Sequence, residues 1–185
     1  GPPGSRGQGN DLTNVVLPRL ERLRGHVARG GGATVPRWDA SGFGGRPWVG
    51  NPQAGTFYPA TWMAALIGTP AAAGWVTVGH LAWASIGTFL LARRVGGSRL
   101  AAALSATCFS SSPYLIAHTF EGHYPHVWAA SWYPWAFWAH LGARSLRAEG
   151  LLLPPILALA FLTGHPQEWH SLAVALGIWA AADVL

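Results

Sequence analysis

Residues 71–92 read AAAGWVTVGHLAWASIGTFLLA, a run without a formal charge that is closed by Arg93-Arg94. Its length matches the ~20 residues an α-helix needs to cross the hydrocarbon core of a bilayer. Further along the chain the pattern returns. Leu100 to Ala117 is a second span, Val127 to Ala143 a third, and Leu151 to Thr163 a shorter fourth with Pro154-Pro155 near its start. A fifth begins near Ser171 and runs to Leu185. Upstream, Ala60 to Gly68 is too short to span and reads as a re-entrant or interfacial helix that ends at Pro70. The expected fold class is all-α: a polytopic transmembrane helical bundle over residues 60–185, preceded by an external loop region with an amphipathic helix over residues 1–59.

Composition supports this reading. Half of the 185 residues are apolar and only 10% are charged, against roughly 25% in an ordinary soluble domain. Ten of the nineteen charges fall within the first 46 residues, so a polar head precedes an apolar body. The body is too rich in Trp, Leu, Ala and Val to be disordered. Cys108 is the single cysteine, which excludes an intrachain disulfide, and its place in an apolar run predicts a small buried hydrophobe. A net charge of +5 and a pI near 10.4 do not indicate nucleic acid, because the basic residues are not clustered on a soluble domain. Eleven tryptophans fit the boundary between headgroups and hydrocarbon, and are too many for one interfacial belt, so some must pack between helices.

In the head, Gly1 to Gly9 form a Gly/Pro-rich lead. From Asn10 or Asp11 as N-cap, Val15, Val16, Leu17, Leu20, Leu23 and Val27 predict an amphipathic helix to about Ala28, with Arg19, Arg22 and Arg24 on its polar side and Gly30-Gly31-Gly32 ending it. Residues 35–59, VPRWDASGFGGRPWVGNPQAGTFYP, are dense in Pro, Gly and aromatic residues. They predict a long ordered loop on the membrane surface with little regular structure.

The arginines orient the body. All of them lie in two alternate loops, Arg93 to Arg99 and Arg144 to Arg147, which the positive-inside rule assigns to the cytoplasm. The intervening loops carry His118, Glu121, His123, His126, His165, Glu168 and His170 without Lys or Arg, and therefore face outside, as does the head. The expected location is the bacterial inner membrane, multi-pass, with the polar loops outward.

The outer histidines and acids offer metal-ligand chemistry: His123 and His126 are three apart, and His165, Glu168 and His170 lie close together. No tight signature such as HExxH fixes the set. The bland reading is that these side chains solvate helix ends, as Asp11 would by capping a helix and Asp39 by forming a turn. A serine or cysteine nucleophile has no support, since there is no GxSxG elbow and Cys108 sits within a span.

The loop carries a further signal in order: Pro36-Arg37-Trp38-Asp39, then Gly45-Arg46-Pro47, then Asn51 to Pro59, NPQAGTFYP. With Asp11-Leu12, Pro18, Glu121-Gly122-His123 and Thr163-Gly164-His165-Pro166-Gln167, this resembles the first external loop and following helices of YfhO-like bacterial membrane proteins. That family is similar to the C-type (GT-C) glycosyltransferases, which take a sugar from a polyprenyl-phosphate carrier outside the membrane. The resemblance implies that Asp11 occupies the position of the catalytic acid at the start of the first external loop. It also implies a preceding span and a chain several times longer, so the sequence reads as a piece of the N-terminal part, cut at both ends.

Such a transfer needs a base for the acceptor hydroxyl and cations or a metal for the departing phosphate. The expected catalytic set is Asp11, Glu121 and His123. Arg37, Trp38, Asp39, Arg46, Asn51, Gln53, Tyr58, His165, Gln167 and Glu168 are expected to contact substrate, and a divalent metal ion is the one candidate cofactor. The expected partners are the polyprenyl-phosphate sugar, the lipid bilayer and a cell-envelope acceptor glycan or polymer. The competing reading is a non-catalytic membrane subunit or transporter fragment that binds a ligand on its outer face. A transporter would carry ionisable residues near midspan, a description only His80 and His140 approach.

Overall fold

The computed structural model describes residues 11–31, 34–40, 44–68, 70–144 and 148–182. The lead Gly1–Gly9, the capping candidate Asn10 and Arg147 lie outside the described residues. The protein is mostly helical, as the apolar periodicity requires.

The head begins with a wide helical turn, Leu12–Val16, that continues as α1 (Leu17–His26). Val16, Leu20 and Leu23, at i, i+4 and i+7, form its buried stripe. They join an apolar cluster with Trp48, Tyr58, Ala64, Ala65 and Trp128. The arginines on the other side of α1 are fastened rather than free. Arg22 Nη1 donates to Asp39 Oδ2 at 2.7 Å, Arg24 Nη1 to the Gly68 carbonyl at 3.1 Å, and Arg19 Nη1 to the Gln53 carbonyl.

The 34–58 loop lies across α1. A minimal antiparallel pair, β1 (Trp38–Asp39) and β2 (Arg46–Pro47), sets Asp39 opposite Arg46, whose Nε donates to the same Asp39 oxygen at 3.1 Å. The loop then makes one tight turn over Pro52–Ala54, in which Asn51 Oδ1 accepts the Gln53 N–H at 3.0 Å. It runs into α2 (Pro59–Ile67), which is closed by Gly68 at φ +71°.

Two helical stretches are long and apolar enough to cross a membrane. The first is α3 (Pro70–Arg94); at 1.5 Å per residue it is about 37 Å long, against about 30 Å for a hydrocarbon core. The second, Arg99–Phe120, is built from α4 (Arg99–Ser110) and α5 (Pro113–Phe120). Ser98 and Ser112 cap them, accepting the Ala101 and Leu115 backbone N–H groups. The break falls just before Pro113, where the residue preceding a proline leaves the helical region. Small residues let the pair approach closely: Ala84, Ala102 and Ala106 are buried, and Ser85 Oγ lies 3.3 Å from both the Ala106 carbonyl and Ser110 Oγ. The two run antiparallel. Only 28% and 17% of their most apolar stretches are buried within the fold.

The rest of the body differs from the expected spans. Residues 127–143 are not one helix but parts of α6 (Tyr124–Ala130) and α7 (Tyr133–Arg144), because Pro134 supplies no N–H to continue the ladder. The remaining helices are α8 (Leu153–Leu162), of 10 residues, and α9 (Pro166–Ala182). Cys108 is exposed, not buried: α4 turns Ala102 and Ala106 inward, and position 108 falls on the opposite side.

Tryptophans pack between helices as well as on the outer surface. Trp128 of α6 is enclosed and donates through Nε1 to Thr77 Oγ1 of α3 at 2.9 Å. Trp83 and Trp135 stack with centroids 4.1 Å apart, and Trp135 Nε1 donates to the Trp83 carbonyl at 3.0 Å. Gly87 makes this possible, since a Cβ there would sit 2.6 Å from the Trp135 ring. Gly164 has a similar role between α8 and α9. It adopts φ +92°, and a Cβ would lie 3.0 Å from the Gln53 carbonyl oxygen and the Gly55 nitrogen.

Candidate functional site

The end of α5, the start of α6, the α8–α9 turn and the first residues of the head converge on one polar cleft of about 370 Å³. Asp11, Val15 and Arg19 line it at helical spacing, with Gln53, His118, His123, His126 and His165. Because α3 and α4–α5 run antiparallel, this cleft and Arg93, Arg94 and Arg99 lie at opposite ends of the two long helices.

Asp11 does not cap the helix. Its backbone is already helical, φ −57° and ψ −24°, and its side chain makes no capping bond. Instead the Asp11 N–H donates to the Glu121 carbonyl at 3.0 Å, and Asp11 Oδ2 stands 3.4 Å from His123 Nε2. His123 Nδ1 lies 2.8 Å from His118 Nδ1. Of two facing ring nitrogens one must donate and the other accept. If His118 donates, a neutral His123 carries its proton on Nε2, directed at Asp11, and this tautomer satisfies both contacts. The result is a relay from His118 through His123 to the Asp11 carboxylate.

Arg19 brings a cation to the cleft. Burial and the nearby Arg46 guanidinium pull its pKa below the usual arginine value, while Asp11 and Asp39 oppose the shift. On the other side, His126 stacks on His118 at 3.8 Å and meets His165 edge to face at 4.6 Å. Burial pushes His126 down to about 4, against the attraction of Glu168; His165 is lowered for the same reason. Glu168 stands behind these two rings, with Oε1 accepting from Tyr114 at 3.1 Å and Oε2 from Tyr133 at 2.6 Å. The donor atoms of His126, His165 and Glu168 lie within 4.8 Å of one another, a grouping that could hold a metal ion.

The sequence-expected residues are thus divided. Asp11, His123, Gln53 and His165 line the cleft, and Glu168 backs it. Glu121 contributes its backbone carbonyl, while its side chain is exposed outside the cleft. Asp39 is engaged with both Arg46 and Arg22. Asn51 caps a turn. Tyr58 is buried, accepting Trp132 Nε1–H at 3.1 Å and bonding His80 Nε2 at 2.6 Å. Arg37, Trp38 and Gln167 are exposed and not among the residues lining the cleft.

Arg19, Tyr114 and Tyr133 were not among the expected residues, and His118 and His126, read as outer-loop histidines with metal-ligand chemistry, were outside the expected catalytic and substrate sets. Arg19 was legible in principle from the i, i+4, i+8 spacing of Asp11, Val15 and Arg19. The tyrosines, in presumed spans, gave no signal.

A second, apolar groove of about 490 Å³ opens beside α2 and α3, lined by Met63, Ile67, Trp75, Gly79, Trp83 and Trp132. Set against protein-family models, curated proteins and solved structures, the chain matches none of them.

Proposed function

We propose that the chain is part of a polytopic membrane glycosyltransferase of the GT-C type, similar to YfhO-like proteins. It moves a sugar from a polyprenyl-phosphate carrier to a cell-envelope acceptor at the outer face of the bacterial inner membrane. The observation that carries this reading is the position of Asp11: free of any capping duty, its carboxylate opens into a polar cleft 3.4 Å from His123 and shares that cleft with Arg19. The arginines at the far end of α3 and α4 support an outward orientation of the cleft.

In the proposed step Asp11 takes the proton of the acceptor hydroxyl as its oxygen attacks the sugar's anomeric carbon. The bond from that carbon to the phosphate oxygen breaks, and polyprenyl phosphate leaves with the electron pair. Arg19 is placed to meet the developing phosphate charge, and His123 keeps the carboxylate oriented. The apolar groove beside α3 offers a surface for the carrier's hydrocarbon chain.

The transporter alternative leans on His80 and His140, and the side chain of the first is occupied. Its Nδ1 donates to the Val76 carbonyl at 2.7 Å, which leaves Nε2 to accept from the Tyr58 hydroxyl. A chain from Trp132 through Tyr58 to His80 is therefore complete.

Asp11→Asn in the full-length protein tests the proposal, with labelled sugar supplied on polyprenyl phosphate in membranes. Loss of general-base catalysis should slow transfer by about 10²- to 10⁴-fold with helicity unchanged. Wild-type rates in a folded Asp11→Asn protein would remove Asp11 from the mechanism. Absence of transfer by the wild-type protein would remove the function.

A further inference from the structure

We infer that His126, His165 and Glu168 form a binding site for a borderline divalent metal ion of the zinc class, with one coordination position open to the polar cleft. This inference is independent of the glycosyltransferase reading, since it rests on what His126 and Glu168 lack and on the place of His165 beside them.

His126 is 6% exposed. Its Nε2 is buried with no hydrogen-bond partner among the described residues, and its Nδ1 stands 3.5 Å from Glu168 Oε1, beyond a good hydrogen bond. An imidazole this enclosed ordinarily satisfies its ring nitrogens, because a buried polar group without a partner has given up its hydration for nothing in return. Glu168 has the complementary problem. It is 8% exposed, and among the described residues its only ion-pair contact is that same His126. Buried carboxylates are ordinarily paired with a cation or bound to a metal.

One cation between the three groups answers both deficits. Zinc takes nitrogen at about 2.0–2.1 Å and carboxylate oxygen at about 2.0–2.2 Å, which puts tetrahedral ligands about 3.4 Å apart. The His126–Glu168 pair is already at 3.5 Å, and no pair in the set exceeds 4.8 Å, so closure needs side-chain adjustment only. The carboxylate is already oriented by two phenols from different helices, Tyr114 and Tyr133. Such outer partners fix first ligands in metal sites. Two nitrogens and one oxygen suit zinc and its neighbours in the first transition row, not calcium or magnesium, which prefer all-oxygen shells. His126 and His165 also line the cleft, so the open position faces the space occupied by Asp11 and His123.

The test uses tag-free protein in detergent, stripped with chelator and titrated with Zn²⁺ by calorimetry and with Co²⁺ by visible absorption. One ion per chain is expected, with the intense Co²⁺ bands of a four- or five-coordinate site. Glu168→Gln keeps the side chain's length but offers one acceptor oxygen where the carboxylate offers one each to Tyr114 and Tyr133, and it should weaken binding about 100-fold or more, on the scale of losing a ligand rather than an outer partner. His126→Ala should do the same, and His170→Ala, an exposed neighbour of Glu168 in α9, should change nothing. Glu168→Gln decides the matter if His126→Ala does not fold. No stoichiometric binding by the wild type, wild-type affinity in Glu168→Gln, or preference for Mg²⁺ or Ca²⁺ over Zn²⁺ would overturn the inference.

Discussion

Replacing Asp39 by alanine removes the acceptor that holds the 34–58 loop to α1. Its side chain is 3% exposed and receives Arg22 at 2.7 Å and Arg46 at 3.1 Å. Charge-assisted hydrogen bonds are worth about 1.5–3 kcal/mol each. The two guanidiniums are 34% and 46% exposed, so each regains water once released, and the loss falls towards the lower end of the range. The two arginines would also repel one another across the vacated position. A net destabilisation of about 2–3 kcal/mol results, which for a chain of this size is a fall of about 4–12 °C in Tm. Thermal unfolding in detergent, followed by tryptophan fluorescence and by helical circular dichroism, measures it. Asp39→Asn keeps the shape and an uncharged acceptor, and should lose about half as much. An Asp39→Ala protein that melts within about 1 °C of wild type would refute the argument that this clamp holds the loop, and with it the positioning of Gln53 at the cleft.

Gly164→Ala should destabilise by about 1–2 kcal/mol from its positive φ alone, with more from the Gln53 and Gly55 contacts; a Tm equal to wild type would show that the close approach is not tight. Burial raises the Tyr58 phenol to about 12. The stability it contributes is therefore fully present below about pH 10 and lost as pH rises towards 12, and Tyr58→Phe should remove this alkaline component from a pH series of Tm values. With Cys108 replaced by serine, an impermeant thiol reagent should label Glu121→Cys but not Val95→Cys in intact cells; the opposite pattern would invert the proposed orientation.

How much of this was legible depends on how far each interaction reaches along the chain. α3 was clear because a charge-free run of span length has few alternatives. The split of residues 127–143 was written in Pro134 but masked by continuous apolarity. Asp11 read as a cap because capping is local, whereas its real partners, Glu121 and His123, are more than 100 residues away. Asp39 looked like a turn former or a substrate contact for the same reason, since Arg22 reaches it from another element. The histidine loops were expected on one face because they alternate with the arginine loops, and in the fold they lie side by side. Which nitrogen meets which oxygen, and that Tyr114 and Tyr133 hold Glu168 from two helices, is fixed by packing and has no trace in spacing.

The stacked indoles of Trp83 and Trp135 give the molecule a built-in optical reporter. Two such chromophores face to face at 4.1 Å share their electronic excitation, and the split transition adds a signed couplet to the circular dichroism that isolated tryptophans lack. The coupling weakens steeply with separation, and it joins α3 to α7. The couplet therefore follows the seam between the long apolar helix and the rest of the body, with no label attached. It should weaken in Gly87→Leu, where the added side chain displaces the Trp135 ring, and persist through changes confined to the head.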